Sequence, residues 1–238
     1  MPTALHRQSF DRVAAPLKSF GVALAVALVG AVAGLASAAL APPVFRLVAP
    51  PESPLGRVLF DHLVQPGMGV FAAGYVWWRW RGDPDRVLRL RRPSLEGVAW
   101  IVLGPAAYEA LVRVVRVGVL AAGLEAGGHG ARPATWEVLL ANPAVALPAL
   151  AVLFLVMAPM EEFLYRGVVH AELADGFGVA TRVVLGAALF GLMHLFLSGG
   201  LSSLLLTWAG GLVFAAAYER TDTLLVPAAI HALYWLAT

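Results

Sequence analysis

Leu147–Arg166 reads LPALAVLFLVMAPMEEFLYR, an uncharged run that ends in two carboxylates and, four residues further on, a guanidinium. A run this apolar is helical in a bilayer, because lipid-exposed backbone must satisfy its own hydrogen bonds and a barrel strand would alternate apolar and polar residues. The rest of the chain agrees: of 238 residues 60% are hydrophobic and 13% charged, and the mean hydropathy is +0.77. Soluble domains carry about 25% charged residues, so the composition excludes an ordinary globular domain and predicts an all-α, polytopic transmembrane helix bundle. The absence of cysteine excludes disulfides, thiolate catalysis, cysteine-bound zinc and palmitoyl anchors.

Stretches near the ~20 residues needed to cross a bilayer occur at 20–40, 60–80, 95–122, 144–164, 179–198, 201–219 and, more briefly, 224–237. They predict about seven membrane helices, with Glu109, Arg113 and Arg116 interrupting the third. Residues 1–142 read as N-terminal helices with a basic loop, and 143–238 as the motif-bearing helices of the same membrane domain. Arg7, Arg12 and Lys18 before an apolar run ending in Ala36-Ser37-Ala38 imitate a secretory signal, but the run is long for one and continues into Leu40, which predicts a retained helix. Gly30 and Gly34 have the GxxxG spacing that admits a close neighbour.

Basic residues set the expected orientation. Arg7, Arg12, Lys18, the six arginines of segment 79–94, Arg166, Arg182 and Arg220 fall on one side, against Arg46, Arg57 and Arg132 on the other. The bias predicts a multi-pass cell-membrane protein with a cytoplasmic N-terminus. The 79–94 loop, with Trp77, Trp78 and Trp80 beside it, marks a bilayer interface with anionic headgroups rather than a nucleic-acid site.

Charge at bilayer depth costs at least ~2.5–3.5 kcal/mol, so each charged group in the opening stretch needs a reason. Glu162 and Arg166 are spaced i, i+4, as an ion pair requires, whereas Glu161 points about 100° away and has no such built-in partner. A helix end meeting water would account for these residues equally well. Two further features favour chemistry: His194 in FGLMH ends one later apolar helix, and His231 in PAAIHALYWLA lies inside the last. Two imidazoles and a carboxylate from three membrane helices form a constellation suited to water activation or metal binding. His6, His62, His129 and His170 have polar or interfacial neighbours and rank below these two.

EEFLYR resembles the EExxxR motif, Phe190 to His194 the FxxxH motif, and the His231 helix the third motif of the CAAX prenyl protease and bacteriocin-processing (abortive-infection) intramembrane peptidases. The resemblance covers about residues 145–238. It implies that Glu161 is the general base for water, that His194 shares this water, that Glu162 and Arg166 shape and balance the site, and that His231 helps hold the oxyanion. The family usually has Asn or Asp four residues after the last histidine. Here that position is Trp235, so either its indole N–H or the neighbouring Tyr234 hydroxyl supplies the donor, or the protein is a weakened or specialised enzyme. The chemistry needs no cofactor, since a desolvated carboxylate is a good base and aimed donors stabilise an oxyanion. Zinc on Glu161, His194 and His231 is the lesser alternative, because the HExxH spacing is missing.

The expected activity is therefore intramembrane endopeptidase, hydrolysing a peptide bond with glutamate-activated water. The expected partner is a membrane-associated protein or peptide. Seventeen basic residues with one lysine fit a GC-rich bacterial genome, which disfavours a prenylated substrate; the resemblance then implies C-terminal processing or sorting of bacterial proteins or peptides. The alternative from another class is a non-catalytic scaffold or a proton-coupled transporter using the same buried Glu and His residues. Serine and aspartyl intramembrane proteases are excluded by the absence of GxSG and GxGD.

Overall fold

The computed structural model describes residues 4–81, 83–125, 135–197 and 200–237, without the side chains of 4–13, 196 and 197. Gly82, His129 and Arg132, and the side chains of His6, Arg7 and Arg12, lie outside that description. The described residues form helices and no strands, an all-α bundle. Its main elements are α1 (Ala4–Leu40), α2 (Val64–Trp80), α3 (Leu95–Ala121), α4 (Pro143–Ala174), α5 (Val179–Leu197), α6 (Gly200–Thr221) and α7 (Leu225–Ala237). All seven expected stretches are thus helical. By length and composition, however, only four described segments qualify as spans: Ala14–Leu40, α3, α4 and α6. The helical parts of 60–80, 179–198 and 224–237 are shorter, and a separate short helix, Pro54–Asp61, takes up the start of the first of these.

Local chemistry fixes several boundaries. Ser94 caps α3 by accepting from the Gly97 N–H at 3.2 Å, and α3 stops where Gly123 adopts φ +73. Proline opens α4 at Pro143 and recurs inside it at Pro148 and Pro159. Pro159 has no N–H to give and its ring crowds the carbonyl four residues back, so the backbone widens into a π-helical stretch at Val152–Met157 just before it. A second wide stretch, Phe163–Val169, follows the short α-helical piece Ala158–Glu162. The glutamate pair sits between the two.

One apolar core joins both halves of the sequence, running from Ala23 and Met68 through Tyr108 and Leu164 to Phe190, Phe214 and Tyr234. The α5–α6 hairpin, α1 against α2, and α3 against α6 and α7 make the principal packings. Gly30 faces Leu164 and Phe71, and Gly34 faces Val64, so the GxxxG spacing serves packing within the chain. Large apolar side chains such as Val32, Leu103, Val114 and Leu155 point outwards, as a lipid-facing surface requires. Charged residues gather at one end of the bundle: Arg79 pairs with Glu172, Arg86 with Asp175, Arg182 with Glu219, Arg220 with Glu96, and Arg89 and Arg91 with Asp222.

Candidate active site

The structure brings the EEFLYR glutamates away from any helix end. Glu161 is 6% exposed, Glu162 0% and Arg166 1%, so the helix-terminus reading of this stretch does not hold. Arg166 donates from Nη1 to Glu162 Oε1 at 3.0 Å and from Nη2 to the Gly211 carbonyl on α6 at 3.0 Å. Its guanidinium also lies over the rings of Phe190 (4.5 Å) and Phe214 (5.2 Å). A buried cation is thereby satisfied by a carboxylate, a carbonyl and two π faces.

His231 reaches the same carboxylate. Its Nδ1 lies 2.9 Å from Glu162 Oε1, and because an ionised carboxylate only accepts, Nδ1 carries the proton and Nε2 is turned elsewhere. The ring stacks on Phe214 at 4.6 Å and 25°. His194 on α5 is held by its own helix: Nδ1 is 3.0 Å from the Phe190 carbonyl, so Nδ1–H donates and Nε2 presents a lone pair. The Glu161 carboxylate acts on this imidazole electrostatically. Phe190 stands edge-on to His194, His231 and Tyr165, the hub of an aromatic cage.

Glu161 is not without a partner. Gln65, the second residue of α2 and 8% exposed, donates from Nε2 to Glu161 Oε1 at 2.7 Å. The sequence reading missed this residue. Its only local signal was a carboxamide inside an otherwise apolar helix. A neutral amide thus holds this carboxylate, whereas a guanidinium holds Glu162. Tyr234 lies with its ring 3.8 Å from that of Tyr108, and Trp235 stands edge-on to His62 at 5.6 Å. His170 is buried near the charged end of the bundle, 3.6 Å from Glu219, and belongs to a different cluster. Among the described residues, no group of three or more His, Asp or Glu side chains is arranged to hold a metal ion.

Residues 143–237 match the family described as "Type II CAAX prenyl endopeptidase Rce1-like". The match agrees with the family that the three motifs resemble, and it spans the motif-bearing helices α4 to α7. No curated protein and no solved structure matches the chain. With its long apolar helices, this chain is a membrane-embedded protein whose residues 143–237 are similar to that family.

Proposed function

We propose that the protein is an intramembrane endopeptidase that uses a glutamate-activated water to process the C-terminal region of bacterial membrane-associated proteins or peptides. The observation that carries the reading is the contrast within the glutamate pair. Glu162 is neutralised by Arg166 and His231, whereas Glu161 is buried against a neutral amide with the His194 imidazole in electrostatic range. A carboxylate of the second kind is a base. A water between Glu161 and the lone pair of His194 Nε2 can donate to both.

In the forward reaction Glu161 takes one water proton as the oxygen bonds to the scissile carbonyl carbon. The tetrahedral intermediate then collapses, the C–N bond breaks, and the proton held by Glu161 passes to the departing amine. His231 can donate to the oxyanion only from a protonated Nε2, because Nδ1–H is committed to Glu162. Depth supports a substrate cut inside the bilayer. Gln65, Glu161 and His194 each lie about 20 Å along their helices from the charged end, well into a core of ~30 Å.

The decisive test is Glu161→Gln, which keeps size and the bond to a neighbour but removes the base. Cleavage of a peptide library by the reconstituted variant is expected to fall at least ~100-fold with normal folded yield. Undiminished cleavage defeats the mechanism. Proton flux through vesicles without any cleavage by the wild type favours the transporter reading instead.

A further inference from the structure

Two buried uncharged polar atoms near Glu161, Gln65 Oε1 and the Tyr165 hydroxyl, have no hydrogen-bond partner among the described residues. Buried groups of this kind are normally satisfied, and one left open next to a reacting centre calls for a partner that arrives with the substrate. The Gln65 assignment is fixed by its neighbour. Since Glu161 accepts, the side facing it is the amide nitrogen, and the carbonyl oxygen is the end left open. Tyr165 follows Glu161 by one turn of α4, is 0% exposed, and is close enough for the carboxylate to act on it electrostatically. Its ring is clamped edge-on by Phe190 at 5.0 Å, so the hydroxyl is rigidly placed. The residue also borders a cavity of ≈ 210 Å³ between α1 and α5, with Ala27, Ala31, Leu189 and Met193.

We propose that Gln65 and Tyr165 form a substrate subsite that reads the peptide backbone: Gln65 Oε1 accepts a substrate N–H, and the Tyr165 hydroxyl donates to the scissile carbonyl oxygen as it becomes an oxyanion. An acceptor and a donor near the base suit the alternating N–H and C=O groups of an extended peptide, whatever its side chains. This assigns the missing amide donor of the last motif to Tyr165 on α4 rather than to Tyr234 or Trp235 on α7. It also makes the site a joint product of α2 and α4, so that the segment before residue 143 contributes to substrate binding. The inference rests on the endopeptidase reading above.

The test uses the full chain in detergent with one decapeptide that the wild type cleaves, chosen from a random library, and its series of single backbone N-methyl analogues. For the wild type, N-methylation at one position near the cut is expected to lower kcat/KM about 10-fold or more, because a buried acceptor loses its partner. In Gln65→Met the parent peptide is slower and methylation at that same position costs nothing further, a coupling that a purely structural role for Gln65 does not produce. Tyr165→Phe keeps the ring against Phe190 and is expected to lose roughly 10²–10³ in kcat, the usual loss of one oxyanion donor, with an unchanged unfolding temperature. Tyr165→Phe at the wild-type rate, or an N-methyl penalty equally large in Gln65→Met, overturns the proposal while leaving the endopeptidase reading intact. A wild type that cleaves no peptide in the library overturns both.

Discussion

Glu162 Oε1 is shared by two donors from different directions, the Arg166 guanidinium on its own helix and the His231 imidazole on α7. Breaking one side of a buried pair leaves a charge without compensation and costs about 3–5 kcal/mol. Glu162→Gln is therefore expected to lower the yield and unfolding temperature in detergent as well as cleavage, whereas Glu161→Gln lowers cleavage alone. Replacing both members, Glu162→Leu with Arg166→Met, is expected to restore part of the lost stability but none of the activity. Thermal unfolding of the three variants in one detergent distinguishes them, and a Glu162→Gln protein as stable as the wild type contradicts the assignment. This pair was legible in the sequence because its partners are four residues apart on one helix. Gln65 was not: it meets Glu161 across a separation of 96 residues, and no spacing rule reaches that far. The Tyr234 and Trp235 expectation rested on position relative to His231, but the backbone does not specify which rings the tertiary packing sets beside them.

At the level of elements, the apolar runs identified the helices because length and hydropathy are properties of one segment alone. The ends were less legible. Segment 144–164 was closed at the charges, yet α4 continues to Ala174, since Glu161, Glu162 and Arg166 each find a partner inside the bundle and do not oblige the helix to stop. The wide turns of α4 were invisible for a related reason: proline predicts disturbance but not its form. Close packing between elements also has a measurable consequence. A Cβ at Gly210 of α6 would fall on the ring of Tyr108, which itself lies between Phe214 (5.1 Å) and Tyr234 (3.8 Å) and has nowhere to retreat. Gly210→Ala is expected to destabilise by about 1–3 kcal/mol through overpacking. Gly74→Ala on α2, where nothing lies within 4 Å, is expected to leave the unfolding temperature unchanged or slightly raised. Equal midpoints for the two variants would show that α3 and α6 are not in close contact.

Over the whole molecule, the ion pairs of Arg79, Arg86, Arg182 and Arg220 collect at one end, where the basic residues of the sequence also concentrate. The positive-inside bias predicts that this end is cytoplasmic: a reporter placed after residue 90 is expected to read cytoplasmic and one between α3 and α4 external. Opposite readings at both sites reverse the orientation. The helices are also of very unequal length: α4 has 32 residues, while α7, which carries His231, has 13 and so extends only about 20 Å. A hydrocarbon layer of ~30 Å cannot match both, and beside the short helix it must thin or admit headgroups and solvent. The hydrolysis proposed above needs water at a depth where a flat bilayer offers almost none, and thinning beside the short helix would bring the aqueous phase towards the site. Turnover should then depend on acyl-chain length: proteoliposomes of longer-chain lipids, with the same headgroup and the same peptide, are expected to cleave more slowly than those of shorter-chain lipids.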